Sequence, residues 1–237
     1  LNTYLTYIIL FGSAALSGLA VLLFKLKFSK NLRLLISFSG AFLLAISVLH
    51  LIPEIYSNYT EKIGIFILIG FLLQLLLEFF SDGIEHGHFH SHKKSLMAFP
   101  FAIFISLCIH SFIEGMALIS PHDHHHHTNY SLLTGIVIHK IPIAIVLSTM
   151  LISKNLPKIV FFIGLIVFSI SAPLGLFIAS NNLLDMVGSP SIILALAVGI
   201  FLHISTTILF ETSEGHKFDL KKFIIIVLGF TIAALTL

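Results

Sequence analysis

Eight apolar segments recur along this chain of 237 residues, each close to the length that crosses a bilayer. They run over residues 4–24, 34–56, 63–80, 97–119, 130–152, 158–180, 191–210 and 222–237, the last being short and ending at the interface. A helix needs about 20 apolar residues to span the hydrocarbon core. Mean hydropathy is +1.05, and only 10% of the residues are charged, too few to cover the surface of a soluble domain of this size. The first segment has no charged stretch before it and outruns the apolar part of a secretory leader, so it is expected to be a span. The sequence therefore predicts an all-α integral membrane protein, one transmembrane domain over 1–237, set in a plasma or inner membrane. No basic run suits nucleic acid, and the single cysteine, Cys108, excludes an internal disulfide framework or a cysteine-based zinc knuckle.

The connections orient the spans. Lys25, Lys27, Lys30 and Arg33 follow span 1, Lys93 and Lys94 follow span 3, Lys154 and Lys158 follow span 5, and Lys217, Lys221 and Lys222 follow span 7. These are eleven of the thirteen basic residues, all on one side. The excess of positive charge marks the cytoplasmic side, which places both termini outside. Gly40-Ala-Phe-Leu-Leu-Ala-Ile-Ser in span 2 resembles Gly199-Ile-Phe-Leu-His-Ile-Ser in span 7, and both spans end in a glutamate, Glu54 and Glu211. Spans 2 and 7 run in opposite directions, so the likeness suggests an inverted repeat.

Ionisable side chains inside spans are expensive in a bilayer and mark functional sites. His110 and Glu114 in span 4 stand four residues apart, on one helix face about 6 Å apart along the axis. Ser106 extends that stripe, and His139 and Lys140 lie near the middle of span 5. Helices joined by a short loop are usually antiparallel neighbours, so His110, Glu114 and His139 are expected to converge at the midplane. Imidazole and carboxylate together suit a divalent transition metal, zinc first, with Fe²⁺, Mn²⁺ or Cd²⁺ as related ions. His50 and Glu54 repeat the four-residue spacing nearer the outside and are expected to form an entrance. In span 7, His203, Thr207 and Glu211 form a stripe leading inward, while Gln74 and Glu78 in span 3 are expected to be structural.

Two connections are rich in histidine. His86, His88, His90 and His92 alternate in the 81–96 loop on the cytoplasmic side, and His122 and His124–His127 lie in the 120–129 loop outside. Such tracts bind zinc loosely. Flanking an intramembrane His/Glu site, they suggest capture on one side and hand-off on the other. The metal is then cargo and no cofactor is implied.

In these features the chain resembles the ZIP family of divalent metal transporters. The resemblance rests on eight spans with both ends outside, His-Leu-Ile-Pro-Glu at 50–54, and the His-rich loop after span 3. It also rests on His110-x-x-x-Glu114-Gly115, His139-Lys140, and Ser171-Ala-Pro-Leu-Gly175 in span 6. It implies helices arranged three, two and three with spans 4 and 5 central, metal import toward the cytoplasm by rocking of helix groups, and a homodimer. Many members hold two metals, using an Asn or Asp after the span 4 histidine and two acids in span 5. Those positions here are Ser111, Lys140 and Ile143. The Lys140 ammonium is expected to stand where a second cation would sit and to pair with Glu114.

Other classes stay open at this point. A membrane-embedded zinc hydrolase would use the same ligand types to activate water, but the chain has no His-Glu-x-x-His motif. An exporter of another family would carry intramembrane aspartates, and the spans have none. A metal-binding membrane sensor would share the same ligands. The reading favoured is a transporter and not an enzyme.

Overall fold

The computed structural model describes residues 3–26, 29–58, 62–81, 100–119, 130–154, 156–181, 189–210 and 219–236. Those residues form helices α1 (Thr3–Phe24), α2 (Lys30–Ile46), a π-helical turn (Ser47–Leu51), α3 (Ile52–Asn58), α4 (Ile63–Ser81), α5 (Phe101–Met116), α6 (Tyr130–Ser153), α7 (Lys158–Ser180), α8 (Pro190–Phe210) and α9 (Leu220–Leu235). The π turn joins α2 to α3, so the described residues make eight helical rods, one overlapping each expected segment.

Local chemistry explains the breaks. The Ser29 hydroxyl accepts the Leu32 N–H and caps α2. The Asp219 carboxylate accepts from the Lys221 and Lys222 N–H groups at 2.9 and 3.2 Å and starts α9. Pro157 precedes α7 and Pro190 opens α8, where a missing N–H removes no helical bond. Pro53 has no N–H for the Leu49 carbonyl, and the chain widens into the π turn just before it, with the Ile52 N–H reaching back to the Ser47 carbonyl. Pro142 and Pro173 lie inside α6 and α7.

Six rods, α1, the α2–α3 rod, α4, α6, α7 and α8, are long and apolar enough to cross a membrane. The other two, α5 and α9, have 16 residues each; α5 is shorter than its expected segment, and α9 equals the short last one in length. Pro100 and the turn at Ala117–Leu118 bound α5, and the Asp219 cap bounds α9. The surface is inverted relative to a soluble protein. Leu68, Leu72 and Phe79 of α4 and Ile159 and Ile163 of α7 face outward, whereas His110, Glu114, His139 and Lys140 are at most 2% exposed. This is a multi-pass integral membrane protein.

Lipid tails are as apolar as leucine, so membrane helices associate through close backbone packing at small residues. The two most extensive pairings follow this rule. Where α4 packs on α8, a Cβ on Gly70 would strike the Leu196 carbonyl, and one on Gly199 the Ile67 carbonyl. Where α5 packs on α7, a Cβ on Gly115 would strike the Ala172 carbonyl, and one on Gly175 the Phe112 carbonyl. The α2 helix also packs on α9, and α1 on α6 and α7. The rods thus sort into one group of α1, α5, α6 and α7 and another of α2–α3, α4, α8 and α9. They meet mainly where α2 touches α6 and α4 touches α5.

Two apolar clusters fill the interior. On α6, Leu132, Leu133 and Ile136 belong to one and Ile143, Ala144 and Leu147 to the other. On α5, Ala117 and Leu118 just beyond the helix belong to the first and Leu107 to the second. The ionisable residues of both helices fall between the two clusters.

Candidate metal centre

Helix α5 presents His110, Ser111 and Glu114 to the interior, and α6 presents His139 and Lys140. The i, i+4 spacing brings His110 Nε2 to 3.1 Å from Glu114 Oε1. The other carboxylate oxygen, Oε2, lies 3.4 Å from Lys140 Nζ. That ammonium also donates to Ser111 Oγ and sits 5.4 Å from the centre of the Phe168 ring, a distance at which ring and cation attract. The His139 ring meets His110 edge-on, with centroids 5.8 Å apart. Its Nδ1 lies 3.5 Å from the Ser39 hydroxyl of α2.

One ligand atom each from His110, Glu114 and His139 lies within 4.8 Å of the other two, and all three residues are buried. Tetrahedral zinc bonds of about 2.0–2.2 Å put donors about 3.3–3.6 Å apart, so small side-chain adjustments would close this trio around a cation. The two ring nitrogens and the carboxylate match the donors zinc takes. Charged groups this deep are expensive unless paired, and Glu114 is paired on both sides, by His110 and by Lys140.

The α5 and α6 backbones are not a closely packed pair, contrary to the expectation from their short connection. Helix α5 rests on α7 and α6 on α1 and α2, because the Gly115 and Gly175 crossing takes the close contact. The two helices face each other through their ionisable side chains.

The remaining sequence candidates are spread out. His50 Nε2 lies 3.9 Å from Glu54 Oε2, where the π turn passes into α3, with the His50 side chain 40% exposed. His203 is buried on α8, its carbonyl accepting from Thr207 Oγ1 at 2.9 Å. Its Nε2 lies 3.4 Å from Glu78 Oε2 of α4, and the Phe71 ring packs against it at 4.7 Å. Sequence reasoning did not pair Glu78 with His203, although the two stand at similar depths along spans of the same direction. It also missed Ser39. Glu211, His86, His88, His90, His92 and the 120–129 loop lie outside the described residues.

A family model for ZIP zinc transporters matches residues 85–236, which takes in both helices of the centre. This chain belongs to the ZIP zinc transporter family. The ZIP chain is also similar to Protein zntD of Dictyostelium discoideum, with 30% identity over 167 residues, 63% of this chain. The match spans only 24% of that protein's length.

Proposed function

We propose that this ZIP chain moves Zn²⁺, or a related divalent transition metal such as Fe²⁺, Mn²⁺ or Cd²⁺, across the membrane into the cytoplasm. The observation that carries the reading is the buried meeting of His110, Glu114 and His139, with ligand atoms within 4.8 Å, between two apolar clusters. Such a site can hold a dehydrated cation away from both faces. Binding must stay weak enough for release.

In this reading the metal passes His50 and Glu54, sheds water, and is held by His110, Glu114 and His139. Lys140, held by Ser111, occupies the place of a second cation beside Glu114. The metal leaves past Glu78, His203 and Glu211 toward His86, His88, His90 and His92. Both termini lie outside, as the charge asymmetry of the connections supports. The three, two and three arrangement is supported by the packing. A two-fold relation that exchanges α1 with α7, α2 with α8, α4 with α9 and α5 with α6 turns the α1–α6 contact into α7–α5, and α2–α9 into α8–α4. Rocking of one helix group on the other would open the centre to each side in turn, and the working unit is a homodimer.

Zinc uptake into cells expressing the protein tests this. His110→Ala and Glu114→Ala each remove one of three ligands and are expected to abolish uptake at wild-type membrane abundance. Wild-type uptake by both variants would remove the site from the route.

A further inference from the structure

We propose that Ser39 is a positioning residue for the metal: it accepts the Nδ1–H of His139 from the opposite helix group and so presents Nε2 to the cation. Ser39 is fully buried on α2. Its hydroxyl has a single proton, which it donates to the Ile36 carbonyl at 2.9 Å. Toward His139 Nδ1, 3.5 Å away, the oxygen therefore serves as an acceptor. A neutral imidazole with its proton on Nδ1 carries its lone pair on Nε2. Metal-bound histidines are commonly fixed this way, by an acceptor on the second ring nitrogen that sets the tautomer and the ring plane. The usual acceptor is a carboxylate or a carbonyl, and a serine with its proton already committed does the same job. At 3.5 Å the contact is long for a hydrogen bond. A bound cation withdraws charge from the ring, makes Nδ1–H a better donor and tightens it.

The bond has a second consequence. His139 belongs to the group of α1, α5, α6 and α7, and Ser39 to the other group. A contact of 3.5 Å does not survive another ångström of separation. His139 is therefore held in the ligating state only while α2 and α6 keep this register, and zinc affinity follows the relative position of the two groups.

The inference rests on the metal centre proposed above, and a double-mutant cycle separates the two. Zinc dissociation constants are measured by chelator competition on the purified full chain, for wild type, Ser39→Ala, Ser39→Thr, His139→Ala and Ser39→Ala/His139→Ala. Loss of such a supporting partner typically weakens metal binding about 10- to 100-fold, so Ser39→Ala is expected to weaken zinc at least tenfold. Ser39→Thr, which keeps the hydroxyl, should recover most of the affinity. In the His139→Ala background, Ser39→Ala should have no further effect. A purely structural role for Ser39 would give additive losses of affinity in the two backgrounds, and that overturns the proposal. Wild-type affinity in Ser39→Ala with weakened binding in His139→Ala overturns it while leaving the centre standing. Wild-type affinity in His139→Ala overturns both.

Discussion

Replacing Lys140 by methionine, which keeps the length of the side chain and removes its charge, should move zinc affinity and metal-free stability in opposite directions. The ammonium stands 3.4 Å from Glu114 Oε2. At an effective dielectric constant of about 20, that separation corresponds to an attraction of about 5 kcal/mol. Breaking a buried pair by removing one partner costs about 3–5 kcal/mol, because the other charge is left behind. Lys140→Met should therefore unfold at lower temperature than wild type when both are stripped with chelator. With zinc bound the sign reverses. A divalent cation on Glu114 would lie about 5 Å from the ammonium, and their repulsion at the same dielectric is about 7 kcal/mol. Even if water and side-chain movement absorb most of that, the variant should bind zinc at least about tenfold more tightly, since a tenfold change is only about 1.4 kcal/mol. Tighter holding slows release, so the maximal uptake rate should fall. Chelator competition gives the affinity, and thermal unfolding with and without zinc gives the stability. A folded variant with unchanged or weaker zinc binding would show that Lys140 does not oppose the metal, and the idea of a tethered second cation would fail.

Two other outcomes follow from the packing and the loops. Gly115→Ala should lower the thermal midpoint and uptake together, because its Cβ would strike the Ala172 carbonyl one residue beyond Glu114. Gly12→Ala, inside α1 where nothing lies within 4 Å, should leave the midpoint unchanged or raise stability by up to about 1 kcal/mol; comparing the two midpoints checks the pairing of α5 with α7. Changing His86, His88, His90 and His92 to serine should shift the zinc concentration for half-maximal uptake and leave transport intact. Complete loss of uptake at normal membrane abundance would put that loop on the conduction route.

The spans were legible because a bilayer imposes length and apolarity on every crossing segment, and few charges interrupt them. The His110 and Glu114 face was legible because helical spacing alone puts the two side chains together. Which rods touch was not. In a membrane, lipid-facing and protein-facing surfaces are equally apolar, so hydrophobic periodicity does not mark the packed face of α4 or α8. The glycines do, and Gly70, Gly199, Gly115 and Gly175 could have pointed to the two close crossings. The short connection between spans 4 and 5 misled for the same reason: a loop fixes sequence order, while the small residues take α5 to α7. Ser39 and the pairing of Glu78 with His203 escaped notice because a serine or a single acid in a span has many structural uses, and only its partner across the packing distinguishes them.

Zinc K-edge absorption spectroscopy on the zinc-loaded full chain reads whether a single cation is held by His110, Glu114 and His139. The expected spectrum has one zinc per chain with nitrogen and oxygen neighbours at about 2.0–2.2 Å, including two imidazoles and no sulfur, and loses one imidazole in His139→Ala. An identical set of zinc neighbours in both His110→Ala and His139→Ala would rule this arrangement out, as would two metals per chain at this depth.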